Sequence, residues 1–72
     1  MSPPPHIVRQ ALKAGQHVVV DIRPYSFTHI LAFADDCGDY GGSIHFTNAA
    51  QVPPFKRQQM AKDAQGRMTF ED

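Results

Sequence analysis

The 72-residue chain has little of what small domains usually lean on for stability. Its one cysteine, Cys37, rules out an internal disulfide, and a lone thiol suits a reducing compartment. Four histidines and one cysteine show none of the paired spacings that a structural zinc site uses, so no metal and no cofactor is expected. Charge of either sign is not in excess, with seven basic and seven acidic side chains. That balance argues against a strongly basic nucleic-acid binder and equally against an acidic mimic of DNA. No stretch approaches the roughly 20 apolar residues of a membrane span. The first residues carry no apolar core with a cleavage site, so no secretory signal is expected and the location is read as cytoplasmic. No repeat or heptad is present.

What remains is one small domain over 1–72. A chain this short buries only about 60% of its unfolded surface. Its core is therefore small, or is completed by a partner. Charge is unevenly spread: Asp35, Asp36 and Asp39 make one acidic stretch, and Lys56, Arg57, Lys62 and Arg67 one basic segment. Such patches steer protein partners at low salt.

The pattern predicts an α+β fold. Residues 1–5 read as a flexible proline-rich arm, although Pro5 suits a first helical position. Ile7, Val8, Ala11 and Leu12 then recur at helical spacing, with Lys13 near the C-terminus and Gly15 as a left-handed cap. "HVVVDIR" (17–23) is the clearest strand, from its β-branched run. "FTHILAFA" (27–34) alternates and reads as a second strand, joined to the first by a short antiparallel link. The polar stretch 35–42 reads as a hairpin loop, with Gly41 and Gly42 supplying positive φ. "SIHFT" (43–47) is the third strand. A helix is predicted from Pro54 to Ala64, capped by Gly66, and 67–72 reads as a short final strand or a flexible tail. The expectation is a three-stranded antiparallel sheet between an N-terminal and a C-terminal helix, in the order α-β-β-β-α.

The stretch "FADDCGDYGGSIHF" (33–46) invites chemistry and fails each test. Counted from Asp35, the third, sixth and twelfth positions are Cys37, Tyr40 and Phe46, which breaks the calcium-loop pattern. "GDYGGS" leads into a strand beside three carboxylates, the wrong setting for a phosphate. Acidic neighbours raise a thiol's pKa, so a Cys37–His45 nucleophile pair is not favoured. His17, His29 and His45 read as sheet-face residues, and His29, Cys37 and His45 match no common zinc spacing. No catalytic residues are assigned, and an enzyme is not expected. Phe27, Phe33 and Phe46 read as core packing rather than base-stacking platforms, which need basic surroundings.

By elimination the chain reads as a monomeric protein-binding domain. Three contact groups are expected: Ile7, Arg9 and Lys13 on the first helix; Arg23 and Tyr25 at the strand turn; Phe55, Lys56 and Arg57 on the last helix. Aromatic and arginine side chains are the usual interface anchors.

The stretches "PHIVRQALKAGQHVVVDIRPY" and "PPFKRQQMAK", in a short single-cysteine chain, resemble the small proteins that bacteriophages make to seize host machinery. An RNA polymerase inhibitor from a Xanthomonas lytic phage is an example of similar size and make-up. The resemblance implies binding to bacterial RNA polymerase inside the host cytoplasm, blocked initiation and altered termination, with nucleic acid touched only indirectly. The alternatives are a small nucleic-acid-binding domain, or an inhibitor of another host complex such as a CRISPR or restriction system.

Overall fold

The computed structural model describes residues 3 to 72. Met1 and Ser2, the start of the expected arm, lie outside the described residues. Helices and strands alternate: α1 (Pro5–Lys13), β1 (His17–Asp21), α2 (Phe27–Tyr40), β2 (Ser43–Thr47), α3 (Pro54–Asp63) and β3 (Met68–Phe70). The strands pair in the order β1-β2-β3, and both pairings are parallel. The expected antiparallel sheet and the α-β-β-β-α order are therefore wrong.

The error lies in residues 27–40, read as a strand and a loop. They form one helix of 14 residues. Its start is a capping box: the Ser26 hydroxyl accepts from the His29 amide, and His29 Nδ1 accepts from the Ser26 amide. Ile30, Phe33, Ala34 and Cys37 are its buried face, at the helical spacings of three and four. Gly41 ends it in the left-handed region at φ 83°. Once this segment is a helix, β1 and β2 are joined by a crossover long enough to make them parallel.

The flanking helices follow their punctuation. Pro5 opens α1, and Val8 and Leu12 are its buried pair. Gly15, at φ 78°, closes it with two reversed bonds, Gly15 N–H to Leu12 O and Gln16 N–H to Ala11 O. Pro54 opens α3, whose one buried residue is Met60. The segment left open as strand or tail contributes β3 over 68–70.

The sheet has two unlike faces. Val20, Ile22, Ile44, Phe46 and Met68 point into the helical layer and are buried there. An aromatic chain runs through this core. Phe33 meets Tyr25 edge to face at 5.2 Å and Phe46 at 6.3 Å, and Phe46 meets Phe70 at 5.6 Å. The opposite face carries His17, Val19, Asp21, Ser43, His45, Thr47 and Thr69, none of them buried. Parallel sheets are usually covered on both sides. This one is polar on its bare side, and its hydroxyls and histidines pair across strands: His17 Nδ1 with Ser43 Oγ at 2.6 Å, His45 Nδ1 with Thr69 Oγ1 at 2.7 Å. Among the described residues no helix is long and apolar enough to cross a membrane.

Candidate protein-interaction surface

The three expected contact groups fare differently. On α1, Ile7 is 43% exposed. At about 100° per residue it stands on the far side of the helix from Arg9 and Lys13, so the three do not share one face. Arg9 is bound to Asp36 of α2, with Nε to Oδ2 at 2.8 Å and Nη2 to Oδ1 at 3.2 Å. Asp36 is buried, so Arg9 neutralises a carboxylate that would otherwise be costly inside the fold. The Lys13 ammonium lies 5.8 Å from the centre of the exposed Tyr40 ring.

At the strand turn, Tyr25 is buried at 7% exposure and packs on Phe33, and its hydroxyl donates to the Pro3 carbonyl at 2.6 Å. It belongs to the core. That bond also ties the proline segment down, so residues 3–5 are a docked arm and the first residue of α1.

Arg23 is exposed but engaged by Asp21: Nη2 donates to Oδ2 at 2.6 Å, and the Arg23 amide donates to Oδ1 at 2.9 Å. Arg23 Nε also donates to both carboxylate oxygens at 3.1 Å, and Asn48 Nδ2 adds a fourth donor at 3.0 Å, reaching over from the end of β2 with its own backbone in the left-handed region. Bonding to the Arg23 side chain, then its amide, holds the Asp21 carboxyl at about 2, against an ordinary 3.8. A carboxyl depressed on folding stabilises the fold above its unfolded value, and that contribution disappears as pH falls through the folded value. The melting temperature is therefore expected to fall between pH 4 and pH 2. Asp21→Asn should fall less over this window, a difference that circular dichroism melts in dilute solution will show. Because the pair is exposed, about 1 M salt should shrink the difference.

On α3 the expected trio divides. Arg57 is structural: Nε donates to Val52 O at 2.9 Å, and Nη2 donates to Ala49 O and Asp72 Oδ1, both at 2.6 Å. It clips the loop after β2 to the end of the chain. Phe55 points outward and is 65% exposed. The Lys56 ammonium sits 4.9 Å from the centre of the Phe27 ring, itself 49% exposed. Phe27, the first residue of α2, was not among the expected contacts. Since α2 and α3 follow adjacent parallel strands, they begin at the same end of the domain. Lys56 thus bridges the starts of the two helices, and Phe27, Phe55 and Lys56 all lie at the end of the domain that holds the carboxyl ends of the strands.

The candidates for chemistry are dispersed. Cys37 is buried in α2, and burial, aided by Asp36 and opposed by Arg67, pushes its thiol up to about 11. His29 lies in the first turn of α2 and His45 on the bare side of the sheet, so neither joins Cys37. Among the described residues no three His, Cys, Asp or Glu side chains gather to hold a metal ion. No family model, no curated protein and no solved structure matches this chain.

Proposed function

We propose that this protein is a small protein-binding regulator, acting by direct contact with a larger complex through the patch of Phe27, Phe55 and Lys56. The observation that carries the reading is the pair of exposed phenylalanines at the starts of two adjacent helices, with a cation over one ring. Fully burying a phenylalanine gains about 1.5 to 3 kcal/mol over leaving it in water. Two such rings at one end of an 8.0 kDa chain, each about half exposed or more, give up a large part of that gain unless a partner covers them. Aromatic anchors flanked by a charged rim are the usual make-up of an interface hot spot.

The sequence resemblance makes bacterial RNA polymerase the target to test. In that reading the chain is a wedge that occupies a surface needed by an initiation factor or by nucleic acid. Biolayer interferometry with immobilised chain and purified polymerase, core and holoenzyme, tests it. The wild type should bind, and Phe27→Ala/Phe55→Ala should weaken binding about 100-fold or more, in the range of hot-spot truncations. Its melting temperature should stay within a few degrees of wild type, because both rings are already exposed. Binding should change little between low and moderate salt, whereas a nucleic-acid contact loses affinity steeply. Absence of binding rules out polymerase as the target; equal binding by the double variant rules out the patch.

A further inference from the structure

We infer that β1 is a self-association edge, and that two copies of the chain join antiparallel through it into one continuous six-stranded sheet. The inference goes beyond the proposed function and uses a different surface.

It starts from which backbone groups β1 leaves unpaired. Ser43 N–H donates to Gln16 O at one end of the β1–β2 ladder, and Ile22 N–H donates to Thr47 O at the other. In a parallel ladder the residues that bond to one neighbour alternate. Residues 16, 18, 20 and 22 therefore face β2, and the N–H and C=O groups of His17, Val19 and Asp21 face the free edge. β1 is the first strand in the sheet order, so among the described residues no strand covers that edge.

Free edges are normally blunted by lysine, proline, a bulge or a very short strand. The other edge, β3, has only three residues and is followed by Glu71 and Asp72. β1 has five residues, with neither lysine nor proline among them, and its central Val19 is 59% exposed.

The sequence of β1, His-Val-Val-Val-Asp, is complementary to itself when reversed. A two-fold axis at Val19 pairs Val19 with Val19 of the second copy and Val18 with its Val20. It also sets His17 opposite Asp21, twice. Both members of that pair stand on the polar side of the sheet. Directly opposed side chains of this kind are the unit of sheet stabilisation, and a hydrogen bond between them adds to it. The axis also makes residues 17, 19 and 21 the hydrogen-bonded positions of an antiparallel ladder, matching the groups left free. His17 is prepared for the contact. When Ser43 donates to Nδ1, the ring proton sits on Nε2, free to donate to the facing Asp21 carboxylate, which it would share with Arg23 and Asn48. An interface in which residue i meets j and j meets i closes at two copies.

Sedimentation equilibrium on the full chain tests this. The wild type should pass from the 8.0 kDa mass to twice that mass as concentration rises. Val19→Lys places a charge on the axis, and His17→Asp sets two carboxylates opposite each other. Each should raise the dissociation constant about tenfold or more, a shift of some 1.4 kcal/mol, with an unchanged circular dichroism spectrum. By hydrogen exchange, the Val19 amide should be protected at high concentration and exchange freely on dilution. A single-chain mass at every concentration overturns the inference. So does a dimer that both substitutions leave intact, because it would be held by another surface.

Discussion

Phe33→Ala is expected to cost most of the stability this domain has. Phe33 is fully buried and is the one ring that touches both the turn after β1, through Tyr25, and the middle of the sheet, through Phe46. Removing it costs about 3 to 5 kcal/mol, from lost burial and from the cavity left behind. A domain of this size holds roughly 4 to 11 kcal/mol in total, at 0.05 to 0.15 kcal/mol per residue. The melting temperature should therefore drop by about 12 to 40 °C, at 4 to 8 °C per kcal/mol. Phe27→Ala is the internal comparison, because it deletes the same ring from the same helix at a half-exposed position. Thermal melts of the two variants should differ by most of the Phe33 effect. A fall of less than about 5 °C for Phe33→Ala, some 1 kcal/mol on the same scale, would mean that the aromatic chain is not the centre of the core.

That one helix also explains why much of the fold could be read from the sequence while its topology could not. Pro5 with Gly15 and Pro54 with Gly66 bracket α1 and α3, and the valine run marks β1. These signals are local and come from residues whose backbone preferences are strong. Residues 27–40 mix signals instead. Phe27, His29, Leu31 and Phe33 alternate as a strand would, and Asp35 to Gly42 has the composition of a turn. The capping box uses histidine where glutamate or glutamine is usual. Gly38 reads as a breaker. The competing helical signal, Ile30, Phe33, Ala34 and Cys37, spans both halves and disappears when the segment is divided. Sheet direction then follows from that single decision, because it depends on whether β1 and β2 are joined by a link or a crossover. The interaction surface inherits the same fate. Phe55 and Lys56 could be named from one helix, but Phe27 joins them only when α2 begins beside α3. The burial of Tyr25 has a related cause: in a hairpin turn it would be outside, and in a strand-to-helix turn it folds back over Phe33.

Gly42→Ala is expected to be the most damaging of the glycine substitutions, although nothing about the local backbone disfavours alanine. Gly42 has no positive φ. The obstacle is α1, whose last turn lies against this residue. An added Cβ would meet the Leu12 carbonyl oxygen in hard overlap, with Leu12 Cα at 2.7 Å and its carbonyl carbon at 2.9 Å. All three are backbone atoms of a helix whose Leu12 side chain is fully buried, so they cannot move aside without lifting α1 from the core. Overpacking costs typically 1 to 3 kcal/mol, and with rigid backbone on the other side the cost should reach about 3 kcal/mol. Gly38→Ala tests the same idea against an opposing preference. Within a helix alanine is favoured over glycine by about 1 kcal/mol, yet here the Cβ would stand 2.6 Å from the Asp63 carbonyl oxygen of α3. The clash should outweigh the preference and leave a smaller net loss. Gly66→Ala isolates the remaining cause, because φ is +79° and nothing lies within 4 Å of the added atom. Its cost is conformational alone, about 1 to 2 kcal/mol. Urea denaturation should therefore place the midpoint of Gly42→Ala lowest, with all three variants below wild type. A Gly42→Ala midpoint at or above wild type would show that α1 does not press on the start of β2. The close seating of the first helix on the sheet would then have to be abandoned.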